Sequence, residues 1–345
     1  MGPVDQRALS VTVWIVVLVV ASGLVAHHQG LDHLPASSWP TDRFTYDALY
    51  PETPDLLLVG SSRLAFGAVP KMLGECASVP TAASLTQNYG SVVSSAILLR
   101  EAVAAGGTPE VVVFEVSPEV VSASSPYLTD NLRQSATWHD LGPCVAATNS
   151  SAMLSACLRP LVAGLDGLGR YLSGRHRADP HSRWMMQHHG GGQYCFDGPT
   201  CKQSNAAVVA GLKQQWDRRA EELPELIASY YKDYALGVGL GHRYLEQSIA
   251  LARQEGFSLL LLNMPVHDSY QDLIPEEAYA RYQEYLASLE GGPVTVIDAN
   301  RPQLRRDKRL FIDPDHLRPA GARKLTRQLC RTLNLSAPRA APPRR

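Results

Sequence analysis

A chain of 345 residues, 45% hydrophobic and 19% charged, has an ordinary globular composition and enough material for one large domain or two. Its formal charge of -1 conceals an asymmetry: from Arg301 to Arg345 thirteen Lys or Arg face three acids, so this segment is net +10 and the remainder net -11. Such a segment is either a solvated helix face or a surface for an anionic partner, and the lack of interleaved aromatic residues argues against nucleic acid.

Leu9 to Ala26 is an uncharged run of 18 residues, close to the length of a membrane-spanning helix. A cleaved signal peptide is the rival reading, but the small-residue cleavage pattern is weak. Residues 1–28 are therefore read as an uncleaved anchor with the rest of the chain extracytoplasmic, and 29–54 as a linker. Cys195 and Cys201 flank a turn-rich loop that a disulfide could close, and Cys144 and Cys157 form a second candidate pair. Cys76 and Cys330 read as buried free thiols. No Cys-x-x-Cys occurs, and His188-His189 beside three glycines has no ligand spacing, so no metal site is expected.

The stretch Asp55-Leu56-Leu57-Leu58-Val59-Gly60-Ser61-Ser62-Arg63-Leu64 organises the rest of the chain. An unbroken apolar run ending in turn residues predicts a strand buried on both faces, as in a parallel sheet. Ser62 then falls at the carboxyl edge of the strand, where a helix begins, and is a candidate nucleophile whose own N–H could hold an oxyanion. A helix-capping serine is the competing reading.

A second strand is expected over Cys76–Ser84, a helix over Ser91–Ala105 and a third strand over Val111–Val116. An insertion of about 119–240 follows, far longer than an ordinary crossover, with helices over Ala206–Tyr234 and Arg243–Gln254. The fourth and fifth strands fall at Leu259–Leu262 and Val294–Ile297. Between them, Glu276–Leu289 is a helix whose Tyr279, Tyr282 and Tyr285 form a packing stripe. Ala320–Leu333 closes the domain, and 337–345 is a Pro/Arg tail expected to be disordered. Strands alternating with helices predict a three-layer α/β/α sandwich on a five-stranded parallel sheet, with the insertion as a cap beside its carboxyl edge.

A serine needs a base to act as a nucleophile at neutral pH. Phe311-Ile312-Asp313-Pro314-Asp315-His316-Leu317 lies between the fifth strand and the last helix, on the same sheet edge as Ser62. Asp313 and His316 are three apart, so the carboxylate could orient the imidazole. Asp315 is the alternative acid, but an adjacent side chain normally points elsewhere. No glycine-rich phosphate loop appears, and no cofactor is expected.

With both blocks in view, the chain resembles the SGNH (GDSL-like) hydrolase superfamily. Gly60-Ser61-Ser62 resembles its Gly-Asp-Ser nucleophile block, and Asp313-Pro314-Asp315-His316-Leu317 with Gly321-Ala322 its closing Asp-x-x-His block. Within the superfamily the chain looks most like the membrane-anchored extracytoplasmic branch, which includes alginate O-acetyltransferase-like proteins and D-alanine transfer proteins. The resemblance implies a flavodoxin-like fold over 55–336, Ser62 as nucleophile, His316 as base and acid, and Asp313 as orienting carboxylate. It also implies oxyanion donors from Ser62, Gly90 and Asn88. The usual Gly-x-Asn-Asp block is absent, since the chain reads Glu115-Val116-Ser117-Pro118 after the third strand. The implied activity is transfer or hydrolysis of an O-acyl group, acetyl above all, on a cell-envelope or exported polysaccharide at the outer face of the bilayer. A multi-pass membrane acyltransferase is the implied partner. The competing class is a non-catalytic, membrane-anchored scaffold or glycan-binding protein that kept the fold.

Overall fold

The computed structural model describes residues 53–87, 89–122, 127–136, 138–146, 151–158, 193–194, 196, 199–213 and 216–336. The expected anchor, linker and tail lie outside these residues. Among the described residues no helix is long and apolar enough to cross a membrane.

Five strands, β1 (Leu56–Gly60), β2 (Ala82–Thr86), β3 (Val111–Glu115), β4 (Ser258–Asn263) and β5 (Val294–Asp298), form one parallel sheet in the order β2-β1-β3-β4-β5. Every pairing is parallel, with Leu57 opposite both Ala83 and Val112, and Leu261 opposite both Phe114 and Val296. The apolar runs carry no alternation because both faces are covered. Leu57, Val59, Val112, Phe114, Leu259 and Leu261 enter one core; Leu56, Leu58, Val113, Leu260 and Leu262 enter the other.

The helices are, in chain order, α1 (Ser62–Gly67), α2 (Pro70–Ala77), α3 (Val92–Gly106), α4 (Pro118–Val121), α5 (Leu128–Ser135), α6 (Leu141–Ala146) and α7 (Ser151–Cys157). After these come α8 (Pro199–Lys213), α9 (Trp216–Tyr231), α10 (Gly239–Glu255), α11 (Asp268–Gln271), α12 (Glu276–Leu289), α13 (Pro302–Arg305) and α14 (Pro319–Ser336). Helices α3, α10 and α12 cover the first face, and α2 and α14 the second. The strand order reverses beside β1, which opens a crevice at the carboxyl ends of β1 and β3.

Two expectations need correction, the second strand and the Cys76 and Cys330 thiols. The second strand is Ala82–Thr86 and not Cys76–Ser84, because Pro70 opens α2 at its first position and the helix runs through Ala77 to a left-handed Ser78 (φ 59°). Over the stretch expected to be helical, 206–234, α8 and α9 are helical as far as Tyr231, and 214–215 between them lie outside the described residues. Cys76 and Cys330 are joined by a disulfide across 254 residues of sequence, with Cα atoms 5.6 Å apart, because α2 and α14 pack side by side. The Cys144–Cys157 pair forms as expected. Cys201 is also disulfide-bonded, and its expected partner Cys195 lies outside the described residues. Tyr282 is fully buried and donates to the Val116 carbonyl at 2.9 Å, in keeping with a packing stripe.

The insertion helix α9 packs Leu223, Ile227 and Tyr230 against Val266, Tyr270 and Ile274 after β4, a satellite core at the carboxyl edge of the sheet.

Candidate active site

β1 delivers its two serines to different tasks. Ser61 is the N-cap of α1, and its Oγ accepts from the Arg63 N–H at 3.1 Å. Ser62 is the first helical residue, so its hydroxyl is free for other chemistry and its N–H has no intrahelical acceptor. The turn is held from β3: the Glu115 carboxylate, fully buried, accepts from the Ser61 N–H at 2.7 Å and from the Ser117 hydroxyl at 3.0 Å. Gly60 is required beneath it, since a Cβ there would stand 2.7 Å from the Glu115 Cβ.

The second half arrives from the β5–α14 connection. An antiparallel bridge between Phe311 and Leu317 closes a tight loop, and the Ile312 N–H donates to the His316 carbonyl at 2.9 Å. Within the loop, one Asp313 oxygen accepts the backbone N–H groups of Asp315 and His316 at 3.0 and 2.8 Å. Its carboxylate also lies 2.9 and 3.0 Å from His316 Nδ1. A carboxylate only accepts, so the proton sits on Nδ1 and Nε2 faces the Ser62 hydroxyl, 2.9 Å away. The edge of Phe66 meets the imidazole with centroids 5.0 Å apart, fixing the ring plane. Ser62 is 8% exposed and the His316 side chain 12%, so both lie just beneath the surface. A hydroxyl bonded to a neutral, carboxylate-anchored imidazole can lose its proton as it attacks an acyl carbon.

Of the expected site residues, the structure brings Ser62, His316 and Asp313 into one hydrogen-bonded chain. Gly90 lies against the same turn, where a Cβ would come within 3.0 Å of the Gly60 carbonyl and 3.2 Å of the Ser61 Cα. Its N–H donates to the Gln87 carbonyl at 3.0 Å, so the absence of a side chain, more than a free donor, is what this position contributes. Asn88 lies outside the described residues.

Sequence reasoning missed a buried ionic group behind the imidazole. Arg63 forms an ion pair with Glu119, sits over the Tyr270 ring at 4.7 Å and approaches Asp315 at 3.6 Å. Tyr270 donates to Glu119 at 3.1 Å. Arg219, from the insertion helix α9, reaches the same Asp315 oxygen at 3.3 Å. The other Asp315 oxygen stands 3.5 Å from His316 Nδ1. The charges set one another. Burial disfavours the charged form of Asp315, yet His316, Arg219 and Arg63 hold its carboxyl well below the usual range. Burial pulls the imidazole down, but Asp313 and Asp315 raise it above its ordinary 6.5. The only sequence signal for this group was an arginine directly after the nucleophile.

Asp313, Asp315 and His316 present ligand atoms within 4.8 Å of one another, the one candidate cation cluster among the described residues. Its donor set fits a cation poorly: two guanidinium groups already face Asp315, and Asp313 is spent on two N–H groups and the imidazole.

A protein-family model of unknown function matches residues 238–336, the stretch that carries β4, β5, the Asp313–His316 loop and α14. No curated protein was found to match the chain.

Proposed function

We propose that the chain is an SGNH-type serine acyltransferase or carbohydrate esterase with a flavodoxin-like fold. In this reading it is anchored by its amino terminus and acts on an O-acylated cell-envelope or exported polysaccharide at the outer face of the membrane. The observation that carries it is the unbroken chain from the Ser62 hydroxyl through His316 to Asp313, drawn from opposite ends of the sequence. The strand order β2-β1-β3-β4-β5 supports the flavodoxin-like assignment. The disulfides suit an oxidising, extracytoplasmic setting.

Ser62 Oγ attacks the ester carbonyl while His316 Nε2 takes its proton; Asp313 holds the imidazolium that forms. The N–H of Ser62 is the first donor to the oxyanion, and an oxyanion beside Gly90 would compete with the Gln87 carbonyl for the Gly90 N–H. His316 returns the proton to the departing alcohol, leaving an acyl-serine. Water then completes a hydrolysis, or a sugar hydroxyl a transfer. No cofactor enters this scheme. In the transfer case a multi-pass membrane acyltransferase supplies the acyl group.

The test is labelling with a fluorophosphonate alongside acetate release from an aryl acetate. The native chain should label and turn over, and Ser62→Ala should do neither. Equal labelling of both proteins, or no labelling with no acetate release, would replace this reading with the scaffold.

A further inference from the structure

The exposed side of α14 has no role in the acyl-ester chemistry, and its charge is one-sided. The helix contains no acid, and Arg323, Lys324, Arg327 and Arg331 recur on one side of it along a groove of about 660 Å³. None of the four makes an ion pair among the described residues: Arg323 lies over the Phe196 ring at 4.1 Å, and Lys324 donates to the Gln303 carbonyl at 3.2 Å. Arg327 and Arg331 are exposed. Phe196 packs against the cluster of Phe66, Val69, Tyr194 and Ala322, and Phe66 is the ring that stands against His316. One end of the groove therefore adjoins the wall of the candidate active site. From Ala320 to Arg331 the helix rises roughly 16 Å, so the cations form a track and not a point.

We propose that this groove holds an anionic polysaccharide along α14 toward Ser62. Charge complementarity argues for the polyanion. Shape argues against a bilayer: a membrane-docking helix inserts its apolar face, whereas Leu325, Leu329 and Leu333 of α14 are buried in the protein core. The concave cationic face suits a chain that lies within it. This deepens the acyl-ester reading and rests on it only for the claim that the bound polymer is the substrate.

Binding of the full chain to oligogalacturonate, to a neutral dextran oligomer of equal length and to phosphatidylglycerol vesicles tests the proposal. All proteins carry Ser62→Ala, so binding is read apart from catalysis, and the aryl-ester assay judges the serine separately. The variant Arg327→Glu/Arg331→Glu is compared with Arg253→Glu/Arg281→Glu, which makes the same charge change at exposed positions of α10 and α12 on the other face of the sheet. Expected are binding to oligogalacturonate but not dextran, loss of binding as salt is raised, and weakening on the order of tenfold by the α14 pair alone. Equal weakening by both pairs, no weakening by the α14 pair, or equal binding of dextran would overturn it. Loss of vesicle binding with oligogalacturonate binding intact would also overturn it and give the groove to lipid.

Discussion

In the proposed acyl-ester chemistry His316 acts as a base only when neutral, and its surroundings decide the pH at which that holds. Burial lowers its pKa, but Asp313 and Asp315 raise it above 6.5. Since the protonated form is inactive, kcat/KM should rise with pH along a limb whose midpoint lies above 6.5. Asp315→Asn removes one of the raising charges and should move that midpoint down; an unchanged midpoint would show that Asp315 does not act on the imidazole. Asp313→Asn should do more than shift the profile. An amide in place of the carboxylate favours the wrong tautomer, and turnover should fall on the order of 10⁴-fold with the fold intact. The two acids, two positions apart, thus divide their work: Asp313 orients through direct bonds, and Asp315 acts through charge.

Loops after four different strands meet at one buried guanidinium. Arg63 follows β1, Glu119 follows β3, Tyr270 follows β4 and Asp315 follows β5, all four are buried, and the other three gather round the Arg63 guanidinium. Removing Arg63 leaves the buried Glu119 carboxylate with only the Tyr270 hydroxyl, while Asp315 keeps Arg219. Arg63→Leu should therefore destabilise the domain by about 3–5 kcal/mol in urea denaturation. A loss below about 1 kcal/mol would mean that water relaxes into the space. The β1 turn has its own support from the neighbouring strand. Glu115→Ala would strand the buried Ser61 N–H and cost about 1–3 kcal/mol, with a parallel fall in fluorophosphonate labelling if the turn also sets the Ser62 hydroxyl.

Across the whole molecule, two segments far apart in sequence form one wall. The Cys76–Cys330 disulfide joins α2 to α14, and α14 follows directly on the loop that carries Asp313 and His316. Replacing both cysteines by serine should lower stability by about 2–5 kcal/mol, read as a shift in the denaturation midpoint against native protein. An identical midpoint in native and variant protein would mean that the packed faces of α2 and α14 suffice without the bond. The insertion contributes at this scale as well, since Arg219 of α9 brings a charge to Asp315 that the sheet alone does not supply.

The sequence by itself determined four of the five strands, because apolar runs such as Leu56–Val59 and Val111–Phe114 can only be buried on both faces, whereas β2, with its small and polar residues, carried no such run. It also pointed to Ser62, Asp313 and His316, since local spacing and position at strand ends are written in the chain. What the tertiary structure alone decided are partnerships across long separations. Cys76 with Cys330, Glu115 beneath Ser61, and Arg63 among Glu119, Tyr270 and Asp315 leave no periodic or local trace. Their energies come from desolvated contacts that exist only once the sheet has brought the strand ends to a common edge.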